Sequence, residues 1–284
     1  LYEAVESGAW DVNVYPICEK FPCSREEFRG AWEDRFTYDY VLDQYEMSRK
    51  SGKLAAFNQE LMLRISSDEE RLVQDSEILW YPRQKLLANR GAYNFYITTD
   101  FATKDDQKAD FSVISVWAYN ANGQWFWVDG ICEQQTMDKN IDELFRLASE
   151  YRPQQVGIET SGQQGAFIQW IQSEMISRNI WFNFASGTTT GKPGITPTVN
   201  KLARFNMILP QIKAGQIFWP LEMRKSKIMQ EMVSELSLAT VNGLKSRHDD
   251  FIDTISMLVH LKAWKPTQDT GMKYADNQWE EDDE

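Results

Sequence analysis

The sequence predicts an α/β protein. Its expected core is a mixed sheet of three antiparallel strands plus two parallel ones, flanked by helices and preceded by a mainly helical N-terminal segment. Three observations predict this. Residues 93–100, Tyr-Asn-Phe-Tyr-Ile-Thr-Thr-Asp, are aromatic and β-branched, follow Arg90-Gly91, and read as a central strand. Two more apolar runs, 110–119 and 124–131, are joined by Asn120-Ala-Asn-Gly123, a hairpin signal that makes a three-stranded meander. Beyond Met137 the texture changes to helical segments alternating with short apolar strands.

Taken in order, residues 1 to about 75 look helical and irregular, with a short helix at 1–5 and breaks at Val14-Tyr-Pro-Ile and Phe21-Pro22. Ser24-Arg-Glu-Glu27 has the capping-box pattern and is expected to open a helix. Helices are also expected over 37–51 and 54–64, with another turn starting at 66–69. Residues 103–108 form a polar loop after the first strand.

Residues 137–151 are amphipathic, with Ile141, Leu144, Phe145 and Ala148 at helical spacing, and Arg152-Pro153 ends that helix. Strands follow at 155–159 and 180–184, separated by a helix over 162–178. A helix-linked crossover of this kind makes parallel, right-handed neighbours. A meander followed by two such strands is the layout of the ribonuclease H fold. Helices are then expected at 199–214, 222–236 and 250–264, with an extended stretch at 216–220. The last helix is apolar almost all round and should pack on the sheet.

Composition narrows the function classes. The 284 residues carry ordinary charged and apolar fractions, 25% and 42%. No apolar run approaches the ~20 residues a membrane helix needs, and the N-terminus has no signal-peptide pattern. A chain that opens on Leu1 rather than Met reads as a fragment or a processed piece. Cys18, Cys23 and Cys132 form no paired motif, which argues against a zinc site or a disulfide framework. Net charge is −12, which overall argues against nucleic acid. Its distribution argues otherwise. Residues 184–247 hold nine basic and three acidic side chains, a net +6, while six acidic residues crowd positions 276–284. The tail from 267 reads as solvated, and the basic segment is compatible with a local DNA-binding face.

The chemistry rests on carboxylates. Asp100 ends one strand and Glu159 ends a second that should run parallel beside it, so both face the sheet edge where ligands collect. Asp249 and Asp250 open the last helix, and Asp253 shares their face. Carboxylates this close raise one another's pKa unless cations neutralise them. All-oxygen donors suit Mg²⁺ or Mn²⁺ rather than zinc, and two such ions can drive an in-line phosphoryl displacement. Each residue also has a plainer reading. These are a turn cap for Asp100, a helix cap for Glu159, Asp249 or Asp250, and a solvated helix carboxylate for Asp253. Lys192, Lys201, Arg204, Lys245 and Arg247 are candidate phosphate contacts, or else solvated surface charges. His248 could touch substrate or simply pack. Gly187-Thr-Thr-Thr-Gly191-Lys192 imitates a phosphate loop but is one residue short, and Pro193 replaces the required Ser or Thr. Trp117, Trp125, Phe126 and Trp127 read as sheet core.

These motifs resemble the nuclease domain of the large terminase subunit of tailed bacteriophages. The matching stretches are Tyr96-Ile-Thr-Thr-Asp-Phe-Ala102, Val156-Gly-Ile-Glu159 and Lys245-Ser-Arg-His-Asp-Asp-Phe-Ile-Asp253. Lys201-Leu-Ala-Arg204 followed by Gly215-Gln-Ile-Phe-Trp-Pro220 also fits, and the likeness spans roughly residues 75 to 265. It implies a ribonuclease H-like nuclease domain over 76–266, preceded by the end of an ATPase domain and linker at 1–75 and followed by an acidic tail at 267–284. It implies a metal-dependent endonuclease that cuts concatemeric duplex DNA with two Mg²⁺ or Mn²⁺ ions. Asp100, Glu159 and Asp250 would be the metal ligands and Asp249 an auxiliary, with Asp253 the weakest candidate. The implied partners are double-stranded DNA, the ATPase domain of the same full-length chain, the portal and the small terminase subunit. The implied setting is the host cytoplasm at the procapsid, with no membrane. The competing readings are a Holliday junction resolvase or transposase, against which the stretch around His248 argues, and a non-enzymatic portal-docking module.

Overall fold

The computed structural model describes residues 15–51, 54–63, 71–102, 111–160, 165–186, 191–241, 243–246 and 248–267. Arg247, the 103–108 loop, the 1–5 helix, the 66–69 turn, residues 187–190 of the false phosphate loop and the tail beyond 267 lie outside them. The chain divides into two compact units, Leu1–Arg71 and Leu72–Glu284.

The first unit holds α1 (Tyr38–Lys50) and α2 (Leu54–Glu60). Thr37 caps α1 by accepting the Tyr40 N–H. Its core gathers Cys18, Phe21, Phe28, Val41 and Phe57, with Phe21 at the centre of an aromatic cluster. Only half of the expected capping box forms: Glu27 Oε2 accepts the Ser24 N–H, but the Ser24 hydroxyl donates to the same carboxylate and the Glu27 N–H goes to the Ser24 carbonyl. No helix follows. Backbone pairing of Glu19 with Arg29 and of Ala31 with Ile17 pulls the chain into an extended path instead.

The second unit is the expected mixed α/β layer. The strands of its main sheet are β1 (Leu79–Tyr81), β2 (Asn94–Asp100), β3 (Ser112–Tyr119), β4 (Trp125–Glu133), β5 (Gln155–Ile158) and β6 (Ile217–Pro220). They lie in the order β1-β6-β4-β3-β2-β5. Strands β2, β3 and β4 form the antiparallel meander, and β5 runs parallel to β2. The Asn120 side chain accepts from the Asn122 and Gln124 N–H groups and builds the β3–β4 turn.

The strand expected at 180–184 is reduced to one bridge, Val156 to Phe184, because the outer edge of β5 is shared with a second segment that bridges Glu159 to Ile195. Two parallel strands, β6 and β1, extend the opposite edge instead.

The helices are α3 (Arg83–Ala88), α4 (Met137–Tyr151), α5 (Gly165–Arg178), α6 (Lys201–Lys213), α7 (Lys227–Ser237) and α8 (Asp250–Ser256). Helix α8 ends eight residues before the expected stop. The Thr254 and Ser256 hydroxyls bond back to the Phe251 and Ile252 carbonyls, and the chain tightens into a 3-10 turn over Met257–His260. Strand alternation sends Phe95 and Ile97 into a core with Leu144 and Phe145 of α4, and Tyr96 into a core with Phe205, Phe251 and Ile255 of α6 and α8. Trp117, Trp125, Phe126 and Trp127 are buried core residues, as expected. No helix among the described residues is long and apolar enough to cross a membrane.

Candidate active site

The register of the parallel pair brings the first two carboxylates together. Thr99 of β2 sits opposite Ile158 of β5, so Asp100 and Glu159 occupy the next positions along adjacent strands. Both follow the alternation that turns Thr98 toward Trp117, whose indole N–H donates to the Thr98 hydroxyl at 2.9 Å. Helix α8 lies on that face. The Ser115 and Thr254 hydroxyls meet at 3.0 Å, which pins α8 to β3. Glycine at 157 admits the turn after α8, since a Cβ there would stand 2.7 Å from Met257 Sδ.

This docking sets the N-terminus of α8 against the ends of β2 and β5. Asp250 is buried, and its Oδ2 accepts the Phe111 N–H at 3.1 Å. Asp253 is 1% exposed, so it is not a solvated helix carboxylate. Asp249 is the residue before the helix, yet its side chain makes no capping bond. It turns to Lys201 instead.

Two cations from α6 reach into the cluster. Lys201 Nζ lies 2.6 Å from Asp249 Oδ1 and 2.8 Å from Asp253 Oδ2. Arg204 Nη1 lies 2.7 Å from Glu159 Oε2, and its Nη2 lies 2.9 Å from Asp253 Oδ1. The second contact is close in distance but lacks hydrogen-bond geometry, which leaves Asp253 Oδ1 without a hydrogen bond, and Arg204 Nε separately has none. Arg204 is 8% exposed and is therefore an internal counter-ion rather than a surface phosphate contact. Lys201 also sits among the carboxylates. Lys192 and Lys245 are exposed, and Lys192 lines a concavity with Gln169, Gln172, Thr196 and Thr160, the residue after Glu159.

The electrostatics follow from this crowding. Burial, then repulsion from Asp253, Asp250 and Glu159, pushes the Asp100 carboxyl well above its usual range, against a smaller pull from Lys201. Burial also raises Asp253, opposed by Lys201 and Arg204. Burial works to lower the Lys201 ammonium, but Asp253 and Asp249 outweigh it and hold the pKa above normal. Five carboxylates against two cations leave a formal excess of three negative charges.

A divalent ion suits this donor set in two respects: the donors are hard oxygens, and the excess charge and the buried Asp253 Oδ1 call for a further cation. The carboxylates are not drawn into a coordination sphere, since among the described residues no three His, Cys, Asp or Glu side chains stand in a metal-holding arrangement. Lys201 and Arg204 hold Asp249, Asp253 and Glu159 on the α6 side, and these contacts would have to loosen for an ion to enter.

Two partners of the site carried no sequence signal. The Phe111 N–H reaches Asp250 from just before β3. Glu235 on α7 is 2% exposed and accepts the Ile252 N–H of α8 at 2.9 Å. Glu231 and Glu235 form an acidic pair at helical spacing, but nothing in that spacing distinguishes the buried one. His248 packs edge-on against Phe111 at 4.6 Å between ring centroids, and its Nδ1 is 3.9 Å from Asp250 Oδ2.

No family model matches the chain, and no curated protein matches it. Solved structures with a similar fold include the human cytomegalovirus terminase nuclease domain, at 12% identity and a TM-score of 0.47, over 67% of this chain and 95% of that one. The same domain, soaked with Mn and bound to an inhibitor, is 13% identical at a TM-score of 0.47, over 66% and 93%. The large terminase nuclease from thermophilic phage G20c with bound zinc is 17% identical at a TM-score of 0.41, over 64% and 92%. At such identities and TM-scores the likeness carries no argument, and the functional reading rests on the residues themselves.

Proposed function

We propose that this chain is a divalent-metal-dependent DNA endonuclease of a viral genome-packaging terminase, hydrolysing phosphodiesters in concatemeric duplex DNA. The observation that supports it most is the convergence of Asp100 and Glu159, at adjacent strand ends, with Asp250 and Asp253 from α8 on one sheet face. Asp100, Glu159 and Asp250 would hold the ions, with Asp249 and Asp253 beside them. Two Mg²⁺ or Mn²⁺ ions, when bound, would supply an activated water and stabilise the attacking and leaving oxygens.

The chain's own residues do the rest. Asp250 is oriented by the Phe111 N–H. Lys201 and Arg204 keep Asp249, Asp253 and Glu159 on the face of α6. Lys192, which lines a concavity with Thr160, and the exposed Lys245 offer charge for the DNA backbone. The terminase setting, with the ATPase domain of a longer chain, the portal and the small subunit as partners at the procapsid, rests on the motif resemblance.

Plasmid cleavage with Mn²⁺ or Mg²⁺ tests the reading, wild type beside Asp100→Asn and Asp250→Asn, with folding checked by circular dichroism. Metal-dependent linearisation lost in both folded variants supports it. Cleavage that survives both substitutions sinks it. Cutting confined to branched substrates would favour a junction resolvase.

A further inference from the structure

Helix α8 carries Asp250 and Asp253, and Asp249 directly precedes it. A helix start leaves backbone N–H groups without partners, and an aspartate in the preceding position ordinarily folds back to accept one from the second or third helical residue. Asp249 has the residue type and the position for this role. Its side chain makes no such bond. Its Oδ1 lies 2.6 Å from Lys201 Nζ, inside the carboxylate cluster.

The third helical residue is Ile252, and its N–H is taken from another element. Glu235 of α7 accepts it through Oε2 at 2.9 Å, with Glu235 itself 2% exposed. A buried carboxylate is costly to keep unless a specific donor holds it. Here it holds a bond that Asp249, at φ −134° and ψ 15°, could take over only by moving its backbone to the extended conformation of a capping residue.

We propose that Glu235 is a positioning residue that caps α8 in place of Asp249 and so keeps the Asp249 carboxylate turned toward the metal-binding cluster. The inference rests on the nuclease reading for the use made of Asp249, but the exchange of capping partners is a property of the chain alone. With Glu235 truncated, the Ile252 N–H would be left buried and unpaired. Asp249 is the nearest acceptor by position and would turn back to take it, leaving Lys201. Asp249 would then serve the helix instead of the site. Glutamine at 235 still presents a carbonyl oxygen to Ile252 and should preserve the arrangement.

The test is a double-mutant cycle on the metal-free protein, followed by Mn²⁺ titration calorimetry, using wild type, Glu235→Ala, Glu235→Gln, Asp249→Ala and the Glu235→Ala/Asp249→Ala pair. Thermal unfolding should show Asp249→Ala costing about 2–4 °C more in the Glu235→Ala background than in wild type, because only there does Asp249 cap the helix. Mn²⁺ affinity should fall about tenfold in Glu235→Ala. It should fall no further when Asp249→Ala is added, and Glu235→Gln should restore it. Equal costs of Asp249→Ala in both backgrounds would overturn the capping exchange, whatever the metal does. Wild-type protein that binds no Mn²⁺ while the thermal coupling is present would instead overturn the metal-site reading and leave the exchange standing.

Discussion

Arg204 Nη1 stands 2.7 Å from Glu159 Oε2, with the two side chains 9% and 12% exposed, and the same guanidinium lies against Asp253. A positive group thus occupies the centre of a predominantly acidic cluster. Removing one partner of a buried ion pair leaves the other uncompensated and costs about 3–5 kcal/mol. Arg204→Gln should therefore lower the melting temperature of the metal-free protein markedly. Added Mn²⁺ should recover more of the loss than the stabilisation it gives wild type, since the ion then replaces the missing charge. Thermal melts with and without Mn²⁺ check this. A deficit untouched by metal would mean that Arg204 serves packing alone.

Asp100 is where burial and three like charges act together. Replacing it with Asn removes the repulsion and keeps the shape. Asp100→Asn should raise the metal-free melting temperature by about 2–4 °C, the worth of roughly 1 kcal/mol in a chain of this size, while cleavage is lost. Such a trade of stability against activity is expected of a site that concentrates charge. A variant that loses both stability and activity would count against Asp100 as a strained site residue.

Glu235 gives a pH dependence whose sign is fixed. Burial raises its carboxyl well above the usual range, despite the Ile252 N–H and helped by Asp250 and Asp249. The folded state therefore keeps a proton that the unfolded chain has already released. Its contribution to stability is full below the ordinary glutamate pKa, about 4.3. It is lost as pH rises through the raised folded value. Glu235→Gln removes that loss, so its melting temperature relative to wild type should climb from near zero around pH 4 toward a plateau at higher pH. Melts across this range test it, and a flat difference would contradict the buried-carboxylate account.

Lys192 and Lys245 are exposed and Arg204 is not. If the two lysines contact phosphates, each alanine substitution should reduce the salt slope of duplex binding by about 0.9. Arg204→Gln should leave that slope unchanged. Fluorescence anisotropy with Asp100→Asn protein avoids cleavage during the measurement. A slope that falls only for Arg204→Gln would invert the assignment of surface and internal cations.

The meander, β5 beside β2 and the amphipathic α4 were legible in the sequence because local periodicity and turn chemistry specify them. The Asn120–Gly123 turn and the aromatic run of β2 carry their own signals. The extended stretch at 216–220 was expected and became β6, but its pairing beside β4, and β1 at the edge beyond it, were not foreseen, since three or four residues give too little periodicity and that side of the sheet forms only once the meander exists. The expected strand at 180–184 failed because its partner edge is shared with Ile195, a competition invisible along the chain.

The same division runs through the site. Strand ends and a helix start are local, so Asp100, Glu159, Asp249 and Asp250 could be nominated from the chain alone. Whether a charge is solvated or buried depends on which helix packs over it. Docking α6 and α7 onto α8 turned Arg204 from a candidate surface cation into an internal counter-ion, engaged the half-exposed Lys201 with Asp249 and Asp253, buried Asp253, and gave Glu235 the Ile252 N–H. Residue type and spacing name the groups that carry charge, while long-range packing sets their solvation and their partners, and with them their chemistry.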